Sequence, residues 1–221
     1  MNQWFNTDLT LDQFIDAMIQ TFTMIGISLI LGTLLALVLA IVLILTRPDG
    51  IVENKWVYRI LSPIINTIRS LPFIILLVAI IPLTRLIVGT SIGTSAAIVP
   101  LVIYIAPYMA RLIENSLLSV NPGIVESADA MGATVWQIIW HFILPEAKSS
   151  LILSITTATI SLLSATAMAG AVGGGGIGDL ALNYGYQRFD NFAMALTVIT
   201  LIIIVQIIQW LGEYLANKAR H

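Results

Sequence analysis

"TFTMIGISLILGTLLALVLAIVLIL", residues 21–45, runs for 25 residues without an Asp, Glu, Lys or Arg. About 20 apolar residues in a helix cross the hydrocarbon core of a bilayer, so this stretch predicts a membrane span. Four further stretches follow it, at 61–83, 91–113, 151–171 and 193–214. Prolines interrupt the second and third of these: Pro63, Pro72 and Pro82, then Pro100 and Pro107. Proline is tolerated in a membrane helix when neighbours satisfy the freed carbonyls, and such breaks either line a pathway or mark a simple kink. The whole chain agrees: only 10% of its 221 residues are charged, against about 25% in soluble domains. Mean hydropathy is +0.95. The expected fold class is an all-α integral membrane protein with five transmembrane helices, placed as a multi-pass protein of the cytoplasmic membrane with lipid as its solvent.

An odd number of spans puts the termini on opposite sides. With the C-terminus inside, Arg47, Lys55, Arg59, Arg111, Lys148, Lys218 and Arg220 are cytoplasmic, and only Arg85 and Arg188 are outside. The positive-inside rule selects that orientation, N-terminus out and C-terminus in. The chain then divides into an extracytoplasmic segment 1–16, a membrane domain 17–211 and a cytoplasmic tail 212–221. Residues 1–20 carry Asp8, Asp12 and Asp16 but no Lys or Arg, unlike the basic start of a secretory signal. A net charge of −2 gives no reason to expect nucleic acid as a partner. The absence of cysteine excludes disulfides, iron–sulfur clusters and thiolate zinc sites.

Further absences narrow the function. There is no Gly-x-x-x-x-Gly-Lys-Ser/Thr, so the chain does not cradle ATP by itself. "GGGGIG" at 173–178 matches Gly-x-Gly-x-x-Gly literally, but it follows a membrane helix rather than a strand and is read as coincidence. His141 and His221 are the only histidines, with no His-Glu-x-x-His, which argues against an intramembrane metalloprotease. Asp and Glu fall at span ends or in loops, whereas proton-driven carriers keep carboxylates within the membrane. A membrane path with neither motor nor ion relay takes its energy from another subunit. The rival classes are an ion-coupled secondary carrier that works alone and a docking scaffold that transports nothing.

Two stripes of small residues recur at four-residue spacing: Ser28, Gly32, Ala36 and Ala40, then Thr157, Ser161, Ala165, Ala169 and Gly173. Such stripes let helix backbones approach closely, either within the chain or against a second copy or along a pore. Thr156, Thr159, Ser164 and Thr166 add hydroxyls that face a hydrated path or bond back to their own helix. Arg69, Ser161, Ala165 and Met168 are the candidate path or gate residues. Arg69 either attracts a substrate carboxylate or snorkels to the interface, and Met168 either gates or packs. The loop 170–191, with Asp179, Tyr184, Tyr186, Arg188 and Asp190, is either a cap over the path or a solvated loop.

Between the third and fourth spans lies "ESADAMGATVWQIIWHFILP", residues 126–145. Asn121 before Pro122 predicts a capped helix start, and a short helix runs to about Met131. Gly132 ends it or opens a hinge. Thr134 with Gln137 three residues on predicts a capping box, and Pro145 is expected to stop the second helix. A helix lying on lipid is normally rich in Lys and Arg, and Ile124 to Ala147 has neither. Glu126 and Asp129 suit a basic groove on a cytoplasmic protein, so the segment is read as a docking element.

Glu126-Ser127-Ala128, three residues, Gly132, nine residues, Phe142, one residue and Leu144-Pro145 resembles the "EAA" signature of importer permeases of the ATP-binding cassette class. Ser127 replaces the second alanine and Phe142 an isoleucine, with the spacing intact. "RSLPFIILLVAIIPLTRLIVGTSIGTSAAIVPL" at 69–101 and "AMAGAVGGGGIGDLALNYGYQ" at 167–187 are similar to the methionine branch of that family. The resemblance covers about 17–211. It implies that 122–142 is a coupling helix fitting a cleft on an ATPase subunit. It further implies a homodimer, two cytoplasmic ATPase subunits, an extracytoplasmic substrate-binding protein, and methionine of both stereoisomers as substrate. ATP and Mg would then sit on the partner ATPase, with no cofactor bound by this chain. Another amino acid or a small organic ion is the alternative cargo within the class.

Overall fold

The computed structural model describes residues 7–48 and 52–220, and their regular structure is entirely helical. The first half comprises α1 (Leu11–Thr46), α2 (Lys55–Ser70), α3 (Phe73–Ala79), α4 (Ile81–Val88) and α5 (Thr94–Leu118). Then come α6 (Pro122–Ala130), α7 (Val135–Gln137), a π-helical stretch Ile138–Ile143, α8 (Leu144–Glu146) and α9 (Lys148–Gly170). The chain closes with α10 (Ile177–Leu180), a second π stretch Ala181–Gln187 and α11 (Asn191–Lys218). Helices α1, α5, α9 and α11 are each long and apolar enough to cross a bilayer, and α2 and α3 together reach the same length and hydropathy as a bent pair, a broken span or a re-entrant loop.

That bend is where the expected second span differs from the structure. Instead of one rod over 61–83, α2 and α3 meet at 105°. Pro72 has no N–H to continue the ladder, and its ring forces Leu71 into an extended conformation (φ −76°, ψ 131°). Pro63 inside α2 and Pro100 and Pro107 inside α5 do not break their helices. The first helix also starts well before the apolar run. The Thr10 hydroxyl accepts from the Gln13 N–H while Gln13 accepts from the Thr10 N–H. Residues 11–16 of the expected outer segment are therefore the opening turns of α1, and residues 1–6 lie outside the described residues.

Helix α5 is the core. Leu101, Ile105, Met109 and Ile113 are at most 1% exposed, and α1 packs more extensively on α5 than on any other element. Ser28, Gly32, Ala36 and Ala40 are all buried, and a Cβ at Gly32 would collide with Ile105. The first small-residue stripe is thus helix packing within the chain, where close approach gains dispersion contacts. The second stripe splits: Ala165 and Ala169 are buried, Ser161 is half-buried and Thr157 is exposed. Thr156, Thr157, Thr159 and Ser164 bond back to carbonyls four residues earlier, and Thr166 to one three residues earlier.

The glycine-rich loop belongs to a packed cap. Gly176 (φ 85°) and Ile177 donate their N–H groups to Gln20 Oε1 (2.8 Å) and Thr21 Oγ1 (2.9 Å) of α1. Gly178 lies directly on the α9 backbone at Ala167, where any Cβ would collide. At the same end Thr7 donates to Asp190 (2.6 Å), and the Gly93 N–H reaches the Gly173 carbonyl (2.8 Å). The opposite end gathers Arg47, the 121–147 element and Arg220, whose Nε meets Ser149 Oγ at 3.3 Å.

Candidate functional site

The 121–147 element has the two-helix form expected from its sequence. Asn121 accepts from the Gly123 N–H at 2.9 Å and opens α6. Its far end is a Schellman turn: the Ala133 N–H reaches the Ala128 carbonyl (3.1 Å) and the Gly132 N–H reaches that of Asp129 (2.8 Å). Gly132 makes that turn at φ 77°, a left-handed conformation that glycine adopts without penalty. Thr134 and Gln137 then form the expected reciprocal capping box.

Pro145 does not stop the second helix. The chain widens into the π stretch, with the Leu144 N–H bonded five residues back to Ile139. Pro145 then occupies the opening turn of α8, where the N–H it lacks is not needed. Only Ala147 (ψ −3°) separates α8 from α9. The element therefore runs into the fourth span almost without interruption.

The motif residues divide by surroundings. Ala128 is 0% exposed and lets α6 lie against the π stretch, where Ile138, Ile139 and Ile143 are buried. Phe142 and Leu144 are half-buried against the same core. Glu126, Ser127, Asp129 and Pro145 are exposed, and Ser127 Oγ bonds back to the Gly123 carbonyl. Trp136 and Trp140, one helical turn apart, are each 59% exposed. Glu126 shares a groove of about 260 Å³ with Arg47, Leu117 and Ile139. The exposed side chains of the element include two carboxylates and two indoles, on a scaffold set by Ala128 and Gly132.

Within the membrane region, the four candidate path residues come together. Arg69, Ser161, Ala165 and Met168 line one cavity of about 320 Å³, formed where the α2–α3 bend faces α9. Tyr104 of α5 forms its floor and shares a 3.0 Å hydrogen bond with Ser161. A larger apolar groove of about 660 Å³ adjoins it, sharing Ile74, Ser164 and Met168.

Arg111, one of the positive charges counted for the cytoplasmic side, is not a free surface cation: it is half-buried in α5, paired with the buried Glu114 at 2.6 Å and donating to the Ser62 carbonyl at 3.1 Å and to the Ser62 hydroxyl. The i,i+3 spacing of the two charges signals a pair, but nothing in sequence reveals that α2 covers it. The Gln20 and Thr21 clamps on the glycine loop were likewise not anticipated, because their partners are backbone N–H groups more than 150 residues away.

Comparison with known proteins agrees with this architecture. Residues 32–221 match the family model described as "Binding-protein-dependent transport system inner membrane component". The chain is 48% identical to the "Probable D-methionine transport system permease protein MetI" of Vibrio cholerae, over 99% of this chain and 96% of that one. It is 39% identical to the "Methionine import system permease protein MetP" of Bacillus subtilis, over 79% of each. A structure titled "Inward facing conformations of the MetNI methionine ABC transporter" superposes with a TM-score of 0.93 at 40% identity, over 97% of this chain and 99% of that one. With four long apolar helices and a bent fifth pair, the helix–glycine–helix element at 121–147, and this degree of likeness, the chain belongs to the family of binding-protein-dependent transport system inner membrane components.

Proposed function

We propose that this chain is the permease subunit of an ATP-binding-cassette importer carrying L- and D-methionine across the cytoplasmic membrane. The observation that carries the reading is the 121–147 element: an exposed acidic and aromatic surface, rigidly turned at Gly132 and continuous with α9. Its relatives named for D-methionine transport and methionine import support the choice of cargo.

In this reading the end bearing Arg47, the 121–147 element and Arg220 faces the cytoplasm, and the glycine cap faces outward. Two copies of the chain form the path. Two cytoplasmic ATPase subunits bind ATP and Mg, and each receives one coupling segment. An extracytoplasmic binding protein delivers methionine to the capped end. The chain itself is not an enzyme. ATP binding draws the ATPases together, the docked segments move with them, and the α5 and α9 helices they join reorient around the cavity that includes Arg69 and Met168.

The deciding experiment is uptake of labelled methionine into proteoliposomes holding the chain and its ATPase, with binding protein outside and ATP inside. ATP-dependent uptake, competed by unlabelled methionine and not by other amino acids, is the expected result. ATP hydrolysis without methionine uptake removes the cargo assignment, and uptake that persists without ATP removes the class.

A further inference from the structure

We infer that the cavity at the α2–α3 bend is a binding site within the permease for a zwitterionic amino acid with an uncharged, apolar side chain. The inference rests on the importer reading above and adds to it that the path holds its cargo at a defined place. The volume, about 320 Å³, is of the size that accepts a small molecule.

The chemistry of the wall sets the ligand. Arg69 has no carboxylate within ion-pair distance among the described residues, whose two ion pairs are Lys55–Glu53 and Arg111–Glu114. Its planar guanidinium is free to take a carboxylate by two parallel hydrogen bonds. It is also held in place: it lies 5.8 Å from the centre of the Tyr108 ring. Tyr108 stacks on Tyr104 (6.2 Å, 7°), and Tyr104 meets Phe73 edge-on (5.2 Å, 68°). Arg69 is exposed, and this aromatic row orients the cation without neutralising it. Ser164, also on the wall, donates its proton to the Ile160 carbonyl at 3.2 Å. Its hydroxyl oxygen keeps lone pairs with which to accept from an ammonium group.

Apart from the mutually hydrogen-bonded hydroxyls of Tyr104 and Ser161, the rest of the wall is apolar, including Phe73 and Met168. A thioether fits beside an aromatic ring and a second methionine sulfur, both soft, polarisable surfaces. No Asp or Glu is among the described residues lining the cavity, so a cationic side chain finds no counter-charge there and is disfavoured by desolvation. The site thus selects on its own terms, independently of any binding protein.

The test uses the chain with its ATPase in lipid nanodiscs, without binding protein. Tritiated methionine binding is measured for wild type, Arg69→Gln, Arg69→Lys and the control Arg85→Gln. A diazirine analogue of methionine is photo-crosslinked and its attachment mapped by mass spectrometry. Arg69→Gln should weaken binding about tenfold or more, as expected for losing hydrogen bonds to a charged group, with Arg69→Lys intermediate and Arg85→Gln unchanged. Crosslinks should fall within 69–74 or 161–168, and lysine should not compete. Equal binding by wild type and Arg69→Gln, crosslinks only elsewhere, or competition by lysine would each overturn the site. If wild type still imports methionine under ATP in those cases, the importer reading stands and only the site falls. Failure of wild-type uptake removes the importer reading and this inference with it.

Discussion

Replacing Gly132 by alanine separates backbone conformation from bulk at the coupling segment. No atom lies within 4 Å of a Cβ built there, so alanine meets no collision. What it meets is the left-handed conformation at φ 77°, which costs an L-residue about 1–2 kcal/mol. That cost falls on the Schellman turn and lowers its occupancy relative to open forms by about 5- to 30-fold. Asparagine tolerates the left-handed region, so Gly132→Asn should stay close to wild type. The assay is methionine uptake per ATP hydrolysed in proteoliposomes, with inserted protein quantified in each preparation. Gly132→Ala should lower that ratio while insertion is unchanged, and Gly132→Asn should restore most of it. Normal coupling in Gly132→Ala, or equal defects in the alanine and asparagine variants, would refute the reasoning.

Breaking the buried Arg111–Glu114 pair with Glu114→Gln or Arg111→Met should destabilise the protein by about 3 kcal/mol or more, because one buried charge is left alone. The double variant Arg111→Met/Glu114→Leu should recover part of the loss in thermal melts of the solubilised protein. Gln20→Ala and Thr21→Val should each remove about 1 kcal/mol from the glycine cap and speed hydrogen exchange at the Gly176 and Ile177 amides respectively. At Asp190, partial burial acts to raise the carboxyl pKa, but hydrogen bonds from the Ala193 N–H and the Thr7 hydroxyl outweigh it and hold the value below the ordinary 3.8. A depressed folded-state value contributes stability that is present above 3.8 and is lost as pH falls through the folded-state value. Protection of the first turn of α11 should therefore weaken only in that acid range, and Asp190→Asn should abolish the pH dependence.

The spans were legible because uninterrupted apolar runs have few alternatives, and α1, α5, α9 and α11 lie where those runs predict. Their ends were less so: the Thr10 cap starts α1 among polar residues that hydropathy does not score. The bend at Leu71–Pro72 was visible as a proline, but three prolines stand in that run and only one lacks a helix around it. The form of the 121–147 element is legible because capping is local chemistry, with donor and acceptor two or three residues apart. Pro145 was misjudged because a π turn precedes it, and a π turn has no sequence signal as plain as a cap. The cavity residues were named singly from charge, hydroxyls and size. Their convergence depends on the 105° bend and on α5 supplying Tyr104, which no spacing rule conveys.

The contact between Gly178 and the α9 backbone has a mechanical consequence. With no side chain between them, α10 lies directly on α9, and Gln20 and Thr21 fasten the same turn to α1. The capped end is therefore a junction where three helices are joined, a fulcrum for the permease proposed above. From there α9 extends 23 residues, about 35 Å, to Lys148. A swing of only ~5° about that fulcrum displaces the coupling end by ~3 Å, by simple arc length over the helix rise. Under the proposed function, small rotations at the capped face and large strokes at the end bearing the 121–147 element are two readings of one rod.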